Sequence, residues 1–215
     1  GVVLLTFLAY KWRNDLKMFA TSVGVLIVCL MAISTVLYHS SNDFAGKMDT
    51  TLKIFKGDEK SIDQAISFRV PIWKTALAMI NAHPINGVGA RVFRYAYPEF
   101  SEKDDRFLAL DDVEKDRERG AYHSHQMQLE VLSETGFIGG FFFLGGMGIL
   151  VWFWRSRSEF QKTTMLPYAL GITALFFPLN THYALYSSSW AQVIYWLVPL
   201  YFAAGTVQNR VSSVS

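Results

Sequence analysis

The sequence contains little cysteine and little charge outside one central block. Cys29 is the single cysteine among 215 residues, so no disulfide can form within the chain. The net charge is +2 without a basic stripe, which argues against a nucleic-acid partner. The chain also lacks a GxSxG elbow, a Walker loop and an HExxH motif. Without these motifs, nucleotide chemistry has no support in the sequence.

Most of the charge lies between His39 and Gln128. This block holds 13 basic and 14 acidic residues, which leaves 11 charged residues for the other 125 positions. The flanking regions contain long, nearly charge-free runs of a length that a bilayer requires and a soluble core does not. The sequence therefore predicts an all-α integral membrane protein. We expect a polytopic bundle of transmembrane helices with a large, mainly helical periplasmic loop between two spans.

Four apolar runs predict complete membrane crossings. They are Met18–Tyr38, Leu129–Trp154, Thr164–Asn180 and Trp190–Val207. Gly1–Tyr10 is too short to cross and has the character of the end of a helix, which predicts that the chain is the C-terminal portion of a larger protein. The predicted domains are 1–38 (a truncated span and one full helix), 39–128 (the loop) and 129–215 (three helices and a cytoplasmic tail).

The short loops predict the orientation of the chain. Counting crossings places seven basic residues on one side: Lys11, Arg13, Lys17, Arg155, Arg157, Lys162 and Arg210. The opposite short loop, Thr181–Ser189, contains no Lys or Arg. By the positive-inside rule the seven basic residues are cytoplasmic. In a Gram-negative cell the protein would then lie in the inner membrane with the 39–128 block in the periplasm.

The loop shows helical periodicity. A helix is predicted from a Ser67 cap to about Ala82, with Pro71 in its first turn and a turn-rich segment after it. The apolar side of this helix is expected to comprise Ile66, Trp73, Leu77 and Ile80. A charged helix is expected around 111–119. A further helix is expected to start near Tyr122 and to run without interruption into the next span.

Arg69 and His125 are the first candidates for chemistry. Arg69 falls inside the predicted apolar stripe and in the first helical turn, where unpaired backbone N–H groups favour an anion. A packed Arg69 stem, with its guanidinium in solvent or paired with Asp63, is the structural alternative. His125 lies where the polar loop meets the membrane and has the pKa range of a general base. A satisfied interfacial histidine is the alternative there.

Three further groups of polar residues are candidates for binding or metal chemistry. Arg91 and Arg94 follow the turn segment and are suited to a phosphate, although such residues are usually a solvated face. His123 and His125 form an HxH pair, which has too few ligands for a metal site, so none is predicted. The acidic pairs that a glycosidase or a metal-dependent transferase would use are Asp104-Asp105 and Asp111-Asp112. Both pairs lie in a charge run and are predicted to be solvated.

Two stretches resemble a known family. The first is Arg69-x3-Trp73-x3-Leu77, followed by His83-Pro84-Ile85-Asn86-Gly87-Val88-Gly89. The second is His125-Gln126, nine residues, and then Gly136-Phe137-Ile138-Gly139. Together they resemble the O-antigen ligase and O-antigen polymerase-type family of bacterial glycan transferases. The second stretch is similar to the ligase signature of His, then Asn, Ser or Gln, nine residues and GxxG. Its motif glycines, with those of the first stretch, are Gly87, Gly89, Gly136 and Gly139.

The resemblance implies transfer of a glycan from undecaprenyl pyrophosphate to an acceptor hydroxyl without ATP, cofactor or metal. It implies that Arg69, with Arg91 as an additional cation, neutralises the pyrophosphate leaving group. It also implies that His125 removes the proton of the acceptor hydroxyl. The residues expected to line the substrate site are Arg91, Arg94, Trp73, His123 and Gln126. A direct single displacement would invert the anomeric carbon.

The acceptor leaves several functions open. Lipid A–core would make the protein an O-antigen ligase, a growing glycan would make it a polymerase, and a pilin-type Ser or Thr would make it a protein O-oligosaccharyltransferase. A transporter or a structural membrane protein is the alternative of a different class. It is disfavoured because the predicted spans carry few ionisable residues, of which Glu130 and Glu134 lie near the start of one span.

Overall fold

The computed structural model of the protein describes residues 2–108, 120–178 and 188–208. The predicted all-α class is confirmed for these residues, which contain no β-strand. The α-helices are α1 (Val2–Lys11), α2 (Leu16–Ser40), α3 (Asn42–Leu52), α4 (Glu59–Ala65), α5 (Val70–Ala82), α6 (Phe93–Phe100), α7 (Met127–Arg155), α8 (Glu159–Leu175) and α9 (Ser188–Ala204). A 3-10 turn, Lys53–Lys56, joins α3 to α4. The chain divides into two compact units, Gly1–Val70 and Pro71–Ser215.

Two helices of the described residues are long and apolar enough to cross a membrane. They are α2, with 25 residues and a mean hydropathy of 2.3, and α7, with 29 residues and a mean hydropathy of 1.9. Their apolar side chains are largely exposed, as lipid-facing residues are: Val28 of α2 is 61% and Phe141 of α7 is 73% exposed. The helices α8 and α9 have 17 residues each, so crossings there remain predictions, and the predicted end at Asn180 lies outside the described residues.

In the first unit, polar caps separate α2 from its neighbours. The Asp15 carboxylate accepts a hydrogen bond from the Met18 N–H (3.0 Å), which begins α2. Ser41 ends α2 in an extended conformation and begins α3, because its hydroxyl accepts from the Phe44 N–H (3.3 Å). The break between α2 and α3 is therefore a single residue.

The predicted start of α5 is wrong. Ser67 and Phe68 have left-handed backbone angles (φ 62° and 61°), so Ser67 does not cap the helix. Asp63 takes that role, since its carboxylate accepts from the Val70 N–H (2.9 Å). Arg69 consequently precedes α5 instead of lying in its first turn.

The predicted apolar side of α5 is also wrong, although its end at Ala82 is confirmed. Ile72, Ala76 and Met79 are buried, whereas Leu77 is 50% exposed. The left-handed break before Val70 separates Ile66 from the helix, and the buried stripe through Ile72 lies one residue, or about 100°, from the predicted stripe through Trp73.

The second unit has a core formed by α5, α6 and the loop after them. The buried residues are Ile72, Ala76, Met79, Phe93, Tyr97 and Ala121. At its centre, the Tyr97 hydroxyl donates to the Asp105 carboxylate (2.8 Å), whose other oxygen accepts from the Phe107 N–H (2.8 Å). Asp105 is only 6% exposed, so the prediction that it is solvated is wrong. A buried carboxylate requires such partners, and a charge run in the sequence conceals them.

Burial and the hydrogen bond to Asp105 raise the pKa of the Tyr97 hydroxyl above its ordinary value of 10.0. Because the folded state holds this proton more tightly, its stabilising contribution is complete below pH 10 and is lost as the pH rises further. We expect the midpoint of thermal unfolding to fall between pH 9 and pH 11 and to fall less in Tyr97→Phe. Equal alkaline losses in the two proteins would contradict this assignment.

On the other side of the second unit, α7, α8 and α9 share an apolar cluster. Its buried residues are Leu150, Met165, Ile172, Tyr201 and Ala204. The Tyr201 hydroxyl donates to the Leu150 carbonyl (2.7 Å), which satisfies a buried polar group between α9 and α7. The predicted helix around 111–119 lies outside the described residues.

The prediction that one helix runs uninterrupted from Tyr122 is wrong in two respects. The helix α7 begins at Met127, because residues 120–126 are irregular and Gln126 caps it. It is then broken at Gly136, which has φ 61° and ψ −161°. Those angles are accessible essentially to glycine alone, so the break is encoded by that residue.

Candidate functional site

The two sequence motifs meet at the break in α7. In a continuous helix the carbonyls of Ser133 and Glu134 would accept from the N–H groups four residues later. Here the turn segment supplies both sets of partners. Four hydrogen bonds join the segments: Val88 N–H to Ser133 O (2.9 Å), Gly89 N–H to Glu134 O (2.9 Å), Phe137 N–H to Pro84 O (2.8 Å) and Ile138 N–H to Ile85 O (3.1 Å). We call residues 84–89 and 133–138 the glycine junction.

The motif glycines permit the close approach of these backbones. A Cβ at Gly87 would lie well inside 3.0 Å of the Glu134 backbone, and one at Gly136 would overlap the Ile85 carbonyl. Both residues also have positive φ, 66° and 61°. A Cβ at Gly139 would overlap the Thr135 side chain, and Gly89 has φ 114°. The close contacts or the positive φ angles thus account for glycine at all four motif positions, in or beside the junction.

Glu134 connects the junction to α6. It is 3% exposed, and its carboxylate accepts from the Arg91 N–H (2.7 Å) and the Phe93 N–H (3.2 Å). The N-cap residue of α6, Val92, has an apolar side chain that cannot accept a hydrogen bond. Glu134, which is distant in the sequence, accepts from the first N–H group of α6 instead. The same contact holds Arg91 in a left-handed conformation, φ 63°. Sequence reasoning did not include Glu134 in the site, although an acid two residues before GxxG, near the start of an apolar span, was a usable signal.

The two arginines of this region have different surroundings. Arg91 is exposed and lies in the turn that Glu134 holds. Arg94 is half-buried in α6, where its guanidinium stacks on the Tyr95 ring (4.5 Å to the centroid) and donates to the Tyr95 hydroxyl. Arg91 is therefore the arginine whose backbone the junction orients.

His123 and His125 lie together in the turn that precedes α7. Their ring centroids are 4.0 Å apart, and the His125 N–H donates to His123 Nδ1 (3.1 Å). That acceptor nitrogen carries no proton, so a neutral His123 has its proton on Nε2. His125 has φ 53°, and both rings are half-buried. The left-handed turn places the two imidazoles side by side at the start of the longest helix.

Neighbouring side chains hold residues 123–126, which we call the histidine turn. The Trp73 indole N–H donates to the carbonyl of the buried Ser124 (3.1 Å), which lies between the two histidines. The Ser124 hydroxyl donates to the Gln126 carbonyl (2.6 Å). Gln126 caps α7, because its Oε1 accepts from the Leu129 N–H (2.6 Å). Trp73 and Gln126, predicted to touch substrate, thus have structural partners, and Ser124 is a member that sequence reasoning missed.

Arg69 belongs to the first compact unit, Gly1–Val70. It is half-buried and stands between the left-handed Phe68 and the first residue of α5. Its role toward a substrate remains a prediction. Within the described ranges, the structure groups no three His, Cys, Asp or Glu side chains in a way that would hold a metal ion.

The family model described as O-antigen ligase matches residues 1–144. No curated protein and no solved structure matches the chain. The family match covers more than half of the chain and both motifs, including the whole glycine junction. The chain is therefore a membrane protein that belongs to the O-antigen ligase family.

Proposed function

We propose that this protein transfers an undecaprenyl-pyrophosphate-linked polysaccharide to a hydroxyl of lipid A–core at the periplasmic face of the inner membrane. Membership of the family implies glycan transfer in general terms. The observation that supports the specific reaction is the histidine turn. It combines an oriented imidazole pair, a buried Ser124 and a cap on a long apolar helix.

In this reaction His125 acts as the general base. It accepts the proton of the acceptor hydroxyl as that oxygen attacks the anomeric carbon, and the bond from that carbon to the pyrophosphate oxygen breaks. The displacement inverts the anomeric carbon. The hydrogen bonds through Trp73 and His123 restrict the backbone of His125, which favours a productive geometry over a mobile one.

Cations stabilise the pyrophosphate that leaves. Arg91 is exposed, carries a guanidinium suited to bidentate phosphate contact, and is oriented by Glu134. The sequence motif proposes Arg69 as a second cation. The pyrophosphate is already anionic in the bound donor and gains charge as it leaves, so these cations are expected to contribute to donor binding as well as to the rate of transfer.

The length of α7 supports a location of the histidine turn at the membrane surface. From Phe137 to Arg155, α7 has 19 residues, or about 28 Å at 1.5 Å per residue, which approaches the thickness of the hydrocarbon core. Large exposed apolar residues begin at Phe137, directly after the break. The part before it would then project into the outer headgroup region, where a lipid-linked pyrophosphate resides.

The test is the variant His125→Ala in a Gram-negative strain that lacks its own ligase. The wild-type protein is expected to restore the lipopolysaccharide ladder, and the variant is expected to lose it while the lipid-linked donor accumulates. His39→Ala is a matched control, since His39 is an exposed histidine at the end of α2. A ladder of wild-type intensity from His125→Ala would remove this residue from the mechanism.

The same strains distinguish the acceptors. Elongated lipid-linked glycan without transfer to lipid A–core would indicate a polymerase, and modified pilin would indicate a protein O-oligosaccharyltransferase. Either result would replace the ligase assignment and keep His125 as the base.

A further inference from the structure

The turn after α3 exposes a large aromatic side chain between two lysines. Phe55 is 84% exposed, and Leu52 and Ile54 are 49% and 43% exposed. The charged residues of this turn are Lys53 and Lys56, both basic. We call residues 52–56 the anchor turn. Its pattern of apolar residues flanked by lysines is typical of segments that lie in a membrane interface.

The helix α3 folds back along α2, which sets the position of the anchor turn. The Tyr38 hydroxyl donates to the Asp49 carboxylate (3.0 Å) across the break at Ser41. Farther from that break, Leu52 lines one shallow cavity together with Ser34. Leu52 lies 11 residues after Ser41 and Ser34 lies 7 residues before it, so they can meet only if α3 returns toward the start of α2.

The composition of α2 indicates where Ser34 lies relative to the membrane. Its apolar part, Met18–Ile33, is about 24 Å long, and Ser34 opens a more polar final segment that includes Thr35 and His39. We therefore expect α2 to pass from hydrocarbon to headgroups near Ser34. Because Leu52 lies beside Ser34, the anchor turn reaches the same boundary.

We propose that the anchor turn docks on the outer leaflet of the bilayer, with Phe55 at the acyl boundary and Lys53 and Lys56 on anionic phospholipid headgroups. Residues 47–60 contain four lysines (Lys47, Lys53, Lys56 and Lys60) and three acids (Asp49, Asp58 and Glu59), so this stretch has a net charge of +1. Lys53 also donates to Gln64 (3.0 Å), which holds its stem against α4. The basic charge of the turn thus complements a negative surface.

The test measures depth in the membrane with a fluorescent label. Phe55→Cys and Asn42→Cys are made in a Cys29→Ala background, labelled with an environment-sensitive dye, and reconstituted into vesicles of phosphatidylcholine and phosphatidylglycerol. Asn42 is the exposed first residue of α3, at the opposite end of that helix. The label at 55 is expected to emit at shorter wavelength and to be quenched by lipids that carry a shallow nitroxide, about twofold more than the label at 42.

Two further results decide the proposal. Quenching at 55 is expected to increase with the phosphatidylglycerol fraction, and the added change Lys53→Gln/Lys56→Gln is expected to remove that increase. Equal quenching at 55 and 42 would overturn the docking, and so would a blue shift at 55 without lipid quenching, which indicates contact with another protein surface. Quenching that ignores phosphatidylglycerol would overturn the role of the lysines.

Discussion

Gly136→Ala is expected to abolish glycan transfer and to lower the free energy of unfolding by about 3 kcal/mol or more. The reason is twofold. The backbone angles of Gly136 are available essentially to glycine, and a Cβ there would overlap the Ile85 carbonyl. The turn segment would have to move away, so the Phe137 and Ile138 N–H groups would lose their acceptors. Thermal unfolding in detergent, beside the lipopolysaccharide ladder, measures both effects.

Gly145→Ala is the matched control. Gly145 lies in the same helix, and apart from its chain neighbours and the nearby backbone of α7 no heavy atom among the described residues lies within 4 Å of the Cβ that alanine would add. Since alanine favours a helix over glycine by about 1 kcal/mol, this variant should unfold at the same or a higher temperature. If Gly136→Ala melted like Gly145→Ala and kept its activity, the glycine junction would not be required.

Glu134→Gln is expected to raise the KM for the lipid-linked donor about tenfold and to cost ~1–3 kcal/mol of stability. The carboxylate accepts two backbone hydrogen bonds, from Arg91 and Phe93. A glutamine has one acceptor oxygen, and its NH2 group would face an N–H donor. One of the two N–H groups would then be buried without a partner, and the turn that orients Arg91 would loosen.

The effect of Glu134→Gln should appear mainly in KM because Glu134 acts through Arg91 and does not contact the reacting atoms. Glu102→Gln is the matched control, since the Glu102 side chain is 70% exposed and its ion pair with Lys74 is long, at 3.8 Å. A wild-type KM and melting temperature in Glu134→Gln would show that the carboxylate does not hold Arg91. Rescue by Glu134→Asp is not expected, because the shorter side chain cannot reach both N–H groups.

Hydropathy and motif spacing predicted the parts of the fold that depend on composition. The apolar runs around α2 and α7 are helical, and the resemblance carried by His125-Gln126 and the glycines is confirmed at the family level. The end of α5 at Ala82 was also predictable, since His83-Pro84 cannot readily continue a helix.

Features that depend on distant partners were not predictable in the same way. A hydropathy window averages across Gly136, so it shows one span where the structure has two segments. Asp105 looked like one charge among many, and only its contact with Tyr97 makes it a core residue. Likewise, Asp63 caps α5 from seven residues away, beyond the local pattern by which caps are recognised.

The hydrogen bonds of the glycine junction also determine where α7 can bend. A helix that breaks in lipid normally exposes peptide groups, and these draw water inward or thin the bilayer. In this break the freed carbonyls of Ser133 and Glu134 and the freed N–H groups of Phe137 and Ile138 are all paired with residues 84–89. The bend can therefore remain dry at the edge of the hydrocarbon, and the histidine turn can stand at a constant height above the acyl chains.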